Sequence, residues 1–157
     1  MWERFALTVS PPFIALRLWD LEAGREEPLT LSGQSGGVRA CAVSADGKRA
    51  VSRSMDATLN VWDLDAGCRQ ITLSGQSGSV NACVVSADGK RAASVSLDKT
   101  LKVWDLDCQT CLGTVCGPSP FYAVALAGRI IVAGDEAGNV WMSEMDWPVP
   151  QSPCAGT

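Results

Sequence analysis

The sequence predicts an all-β fold assembled from repeated four-stranded antiparallel units. Two observations predict it. The segment Leu31 to Leu64 recurs almost unchanged as Leu73 to Leu106, at a constant offset of 42 residues, and a period of that size marks a supersecondary unit that buries its core by stacking on copies of itself. Within each unit, runs of about five β-branched and alternating residues are cut by Gly, Asp and Pro, too closely for crossover helices, so the strands pair antiparallel.

Unit two carries the pattern in full. Val38 to Ser44 reads as strand a and Ala45-Asp46-Gly47-Lys48 as a tight hairpin, with Asp and Gly suited to positive φ. Arg49 to Arg53 follows as strand b, Thr58 to Leu64 as strand c and Arg69 to Leu73 as strand d. Unit three repeats this from Val80. Tryptophan spacing extends the count: Trp19, Trp62 and Trp104 are each followed by Asp, and Trp141 reads as a fourth, six residues after Asp135 as Trp62 is six after Asp56. Aligned on Trp19, unit one offers Ala6 to Ser10, Ala15 to Leu21 and Leu29 to Leu31 as strands b, c and d, without strand a. Unit four offers Phe121 to Leu126, Arg129 to Ala133 and Asn139 to Ser143 as strands a, b and c. Pro148, Pro150 and Pro153 argue against a fourth strand there. The expected organisation is one repeat domain over 1–145, with units near 1–32, 33–74, 75–116 and 117–145, and a Pro-rich tail over 146–157.

The closing Trp-Asp pairs, the turn Asp before strand c and the Gly-x pair before strand a resemble the WD40 repeat family. The likeness is to prokaryotic arrays such as the C-terminal blades of larger signalling proteins. It implies a partial β-propeller of about three and a half blades and a non-catalytic protein-interaction scaffold. It also implies a hydrogen-bond network in each blade. Blade two would use Trp62, Ser52 or Ser54, and Asp56; blade three would use Trp104, Ser94 or Ser96, and Asp98. The family's histidine is absent, since the chain has none, and Gln34 and Gln76 stand in its place. A glutamine amide can accept from the Ser hydroxyl and donate to the Asp carboxylate. With Ile131 and Ala133 at the aligned strand-b positions of unit four, and Phe13 at the turn Asp of unit one, neither terminal unit is expected to form the network. By position, the partner-binding face would present Arg39 and Met55 with Gly37, Asn81 and Leu97 with Ser79, and Tyr122 with Gly134. Arg39, Met55, Leu97 and Tyr122 are suited to anchor a partner.

Propellers close with four to eight blades, so three and a half leave bare apolar faces, and self-association to complete the ring is the expected remedy. Assembly with other repeat chains, a strained four-blade closure, or a detached end of a larger protein without an independent role stay open. A net charge of −4 argues against nucleic acid. Pro11, Pro12 and Glu3 argue against reading the apolar start as a leader, and no stretch has the roughly 20 apolar residues of a membrane span. The seven cysteines are odd in number and scattered, which fits a reduced, cytoplasmic chain. Cys108 and Cys111 form the single CxxC, without the second knuckle or histidine a zinc site needs, and it is the sole basis for a metal or redox alternative. No metal, cofactor or catalytic residue is expected.

Overall fold

The computed structural model describes residues 5–10, 15–22, 29–31 and 37–146. Among the described residues it contains fourteen strands and no helix. Unit one is a three-stranded sheet of β1 (Phe5–Ser10), β2 (Ala15–Asp20) and β3 (Leu29–Leu31). Unit two has β4 (Val38–Val43), β5 (Arg49–Ser54), β6 (Leu59–Asp63) and β7 (Cys68–Leu73). Unit three has β8 (Val80–Val85), β9 (Arg91–Ser96), β10 (Thr100–Asp105) and β11 (Thr110–Cys116). Unit four closes with β12 (Phe121–Ala127), β13 (Ile130–Asp135) and β14 (Val140–Glu144). Every pairing is antiparallel between sequence neighbours, so each sheet is a meander, as short connections require.

The a–b hairpins show how little sequence fixes a turn. Ser44 Oγ donates to Asp46 Oδ1 at 2.5 Å, the Lys48 amide donates to the same oxygen at 3.0 Å, and Gly47 takes φ 69°. Unit three repeats this with Ser86, Asp88, Lys90 and Gly89. The side chain thereby sets the chain reversal, and glycine absorbs the left-handed residue.

Alternation along each strand sends one set of side chains to the preceding sheet and the other to the following one, so the core consists of three interfaces between sheets. Leu16, Leu18 and Leu31 of unit one meet Val38, Ala50 and Trp62 of unit two. Val51, Leu59, Val61 and Leu73 of unit two meet Val80, Ala92 and Trp104 of unit three. Val95, Leu101 and Val103 of unit three meet Phe121, Ile131 and Ala133 of unit four. Each interface is built from opposite faces of adjacent sheets. The fold is a partial propeller, without ring closure.

Strand register corrects the alignment of unit four. Val140 pairs with Gly134 as Leu59 pairs with Arg53, and Met142 with Val132 as Val61 with Val51. The amide of Met145 donates to Arg129 O as that of Leu64 does to Lys48 O. Trp141 therefore stands where unit two has Asn60, and Ser143 stands at the repeat tryptophan position. The tryptophan at 141 is two residues early.

Candidate interaction surface

The networks that hold the blades set how rigidly the loops are carried. In unit three Trp104 Nε1 donates to Ser94 Oγ at 2.9 Å, and Ser94 Oγ donates to Gln76 Oε1 at 3.1 Å. Gln76 Nε2 then donates to Thr100 Oγ1 at 3.4 Å, and Thr100 Oγ1 to Asp98 Oδ1 at 2.5 Å. Gln76 thus accepts from serine as expected, but it reaches Asp98 through Thr100. In unit two Trp62 Nε1 donates to Ser52 Oγ at 2.8 Å, and Thr58 holds Asp56 through its amide and hydroxyl. Gln34 lies outside the described residues, as do Phe13 and the tail from 147 on. Ser54 and Ser96 do different work: their hydroxyls accept from the amides of Asp56 and Asp98 and so shape the b–c turn.

Both terminal units keep more than the sequence suggested. In unit one Trp19 Nε1 donates to Thr8 Oγ1 at 2.9 Å. Ala6 pairs with Trp19 as Ala50 does with Trp62, which places Thr8 at the Ser52 position; the β1–β2 connection is one residue longer, so an ungapped alignment misses it. In unit four Asp135 stands at the Ser54 position, and Trp141 Nε1 donates directly to its Oδ2 at 2.9 Å, alongside the Asn139 side-chain amide. The indole bond is the main reason that the Asp135 carboxyl is held down to about 2, with the Asn139 bonds adding to it against the effect of burial.

At one end of units two, three and four the same construction recurs. Strand a carries a β-bulge between Val38 and Ala40, between Val80 and Ala82, and between Phe121 and Ala123. The extra residues are Arg39, Asn81 and Tyr122, and a bulge re-aims the side chain it leaves unpaired. Beside each bulge the b–c turn is tied to the preceding loop, Met55 N to Gly37 O, Leu97 N to Ser79 O, and Glu136 N to Pro120 O. Arg39 is exposed, as are Met55, Leu97 and Tyr122. Asn81 is half-buried, and its Nδ2 donates to Phe121 O at 2.7 Å, so its amide links two blades. The expected Gly134 is replaced at the turn by Glu136; the shared positive φ of Ala57, Lys99 and Gly138 marks the true equivalence.

The two near-identical copies differ at eight positions, and five of these pairs lie at this end: Gly37 and Ser79, Arg39 and Asn81, Arg53 and Val95, Met55 and Leu97, Ala57 and Lys99. Two of the others compensate, since Ala42 pairs with Val51 where Val84 pairs with Ala93, conserving core volume.

The expectation of a fully reduced chain needs correction, since Cys108 is disulfide-bonded. Cys111 is a free, exposed thiol, so the CxxC residues are not paired with each other. Among the described residues no group of three or more His, Cys, Asp or Glu side chains converges to hold a metal. Burial pushes the Cys83 thiol up to about 12. No described helix is long and apolar enough to cross a membrane.

Comparison with curated proteins finds no match. The family described as "WD domain, G-beta repeat" matches residues 25–63 and 67–105, the stretches that end on the Trp-Asp pairs of units two and three. With its sheets, repeat period and indole–hydroxyl bonds in the same places, the chain belongs to the WD40 repeat family.

Proposed function

We propose that this chain is a non-catalytic protein-interaction scaffold whose partner-binding end is the row formed by Arg39, Met55, Asn81, Leu97 and Tyr122. WD40 repeats in general are such scaffolds. The observation that carries the reading is where the two copies diverge: five of the eight differences fall at the bulge and b–c turn end, while the Trp, Ser, Thr, Asp and Gln of the networks behind it are the same in both copies. Loops on a rigid frame are where recognition is placed. Arginine and tyrosine are the side chains that most often anchor a protein partner.

The reading includes self-association to complete the ring, a repeat domain over 1–145, and a cytoplasmic location without nucleic acid or membrane. The net charge of −4 supports the exclusion of nucleic acid. The absence of histidine throughout the chain removes the usual general base and supports the lack of catalysis. Fractionation of cells expressing the chain tests the location.

Affinity capture with the native chain and with an Arg39→Glu, Tyr122→Ala double variant tests the surface. A partner held by the native chain should be lost from the variant. Equal recovery on both would move the binding surface elsewhere.

A further inference from the structure

The two ends of the array expose the two halves of one interface. On β14, Val140 and Met142 are 75% and 76% exposed, yet the equivalent residues of the other units, Leu16, Leu59 and Leu101 and then Leu18, Val61 and Val103, are at most 5% exposed. Those six are covered by the next sheet in the chain. On the outer face of unit four the neighbours of Met142 are Val132 and Ala125, which makes the centre of the patch apolar, with the exposed Glu144 at its edge.

The opposite face is bare at unit one. Ala6, Thr8, Arg17 and Trp19 share a side of β1 and β2, with the indole already fixed on Thr8. Their equivalents are buried against the preceding sheet, Ala50, Ser52, Asn60 and Trp62 in unit two, and Ala92, Ser94 and Trp104 in unit three. Among the described residues, therefore, no sheet covers the strand-b and strand-c acceptor face of unit one or the donor face of unit four.

We infer that a second copy of this chain occupies both faces: the outer face of unit four in each copy docks on the Trp19 face of unit one in the other, head to tail. The junction reuses the strand-b and strand-c part of a contact that the chain makes three times internally, without the strand-d residues Leu31, Leu73 and Val115 and the strand-a residues Val38, Val80 and Phe121 that complete it there. Two copies related by a twofold axis supply eight sheets, within the range at which propellers close. A symmetric pairing of two unit-four faces would leave both tryptophan faces bare. The inference rests on the self-association reading above and gives it a geometry.

Native mass spectrometry and light scattering on the full purified chain test it. The native chain should have twice its 16.6 kDa mass. Met142→Glu and Ala6→Glu should each weaken the dimer at least tenfold, leaving single chains with an unchanged β-type circular dichroism spectrum. Mixed together, they should form a dimer again through the one junction with both faces intact, which also shows that each variant folds. A native chain of single mass at all concentrations would overturn self-association and this geometry together. A larger assembly, a dimer unaffected by Ala6→Glu, or failure of the mixed variants to recombine would overturn the geometry and leave self-association standing. The Arg39→Glu, Tyr122→Ala variant should remain a dimer; conversion to single chains would overturn the assigned contact faces.

Discussion

Replacing Ser143 with tryptophan should stabilise the protein, because the structure holds a vacated tryptophan site there. A cavity of about 230 Å³ lies between units three and four, lined by Leu101, Val115, Phe121, Ile131, Trp141, Met142, Ser143 and Met145. One interface earlier, Trp104 is 4% exposed in a cluster with Leu59, Leu73, Val80, Ala92 and Leu106, which are the counterparts of Leu101, Val115, Phe121, Ile131 and Met145. A tryptophan side chain buries roughly 150–250 Å², a gross gain of about 4–6 kcal/mol at roughly 25 cal/mol per Å². Ordering the side chain costs about 1–2 kcal/mol. Its N–H would find Ala133 where other units have a hydroxyl, and an unpartnered buried donor costs about 1–3 kcal/mol. The net expectation for Ser143→Trp is about 1–2 kcal/mol of added stability. Adding Ala133→Ser supplies the acceptor and should contribute about 1 kcal/mol more. Thermal denaturation at one fixed protein concentration reads this as a rise in Tm of about 2–4 °C per kcal/mol for a chain of this length. If Ser143→Trp leaves Tm unchanged or lowers it, and the added serine brings no recovery, the cavity is not the counterpart of the Trp104 site.

The relay in unit three should behave as one unit: Ser94→Ala strips the buried Trp104 indole of its acceptor at a cost of about 1–3 kcal/mol, and a double-mutant cycle with Gln76→Ala should show coupling. Strict additivity in denaturant melts would refute the relay. Asp135 is held near 2, below its usual 3.8, so its contribution to stability is complete above about pH 4 and is lost as pH falls toward 2. Asp135→Asn should therefore lower Tm at pH 6 and flatten the acid limb of a Tm profile; an unchanged acid limb would show that the Trp141 bond carries no such linkage. Native-state alkylation followed by peptide mapping should label the exposed Cys111 quickly and spare Cys83, whose raised pKa keeps it a thiol. Equal labelling of the two would contradict the packing of unit three on unit two.

The blades were legible because their signals are local. A 42-residue offset, a Trp-Asp ending and an Ala-Asp-Gly-Lys turn each fix a position within units two and three, and the four strands of each follow from them. What failed depended on comparison across units of unequal length. Trp19 finds Thr8 only after one residue is allowed in the β1–β2 connection. Its identity and its six-residue spacing from Asp135 both point to Trp141 as the repeat tryptophan, although Gly138-Asn139-Val140 followed by Trp141 aligns with Ala57-Thr58-Leu59 followed by Asn60. Tryptophan is a strong marker in sequence, but pleat register decides which face it occupies. The Thr100 relay was missed for another reason: the spacing of Gln76 and Asp98 permits a direct bond, and only the geometry shows a hydroxyl between them. On the candidate surface, Arg39, Met55, Leu97 and Tyr122 were all readable as exposed by position, while the engagement of Asn81 with the Phe121 carbonyl depends on the next blade.

The bulge on strand a has a consequence for how such a surface can change. An ordinary strand residue is constrained twice, by its ladder partner and by the sheet it packs on, so altering it disturbs register or core. The extra residue has no opposite number in the ladder. Arginine, asparagine and tyrosine occupy it in three successive blades without moving the hydrogen bonds on either side. Arg39 and Tyr122 thus carry chemistry that is nearly independent of folding, while Asn81 ties its blade to the next, and the array is a short row of letters on a fixed line, two of them separately adjustable.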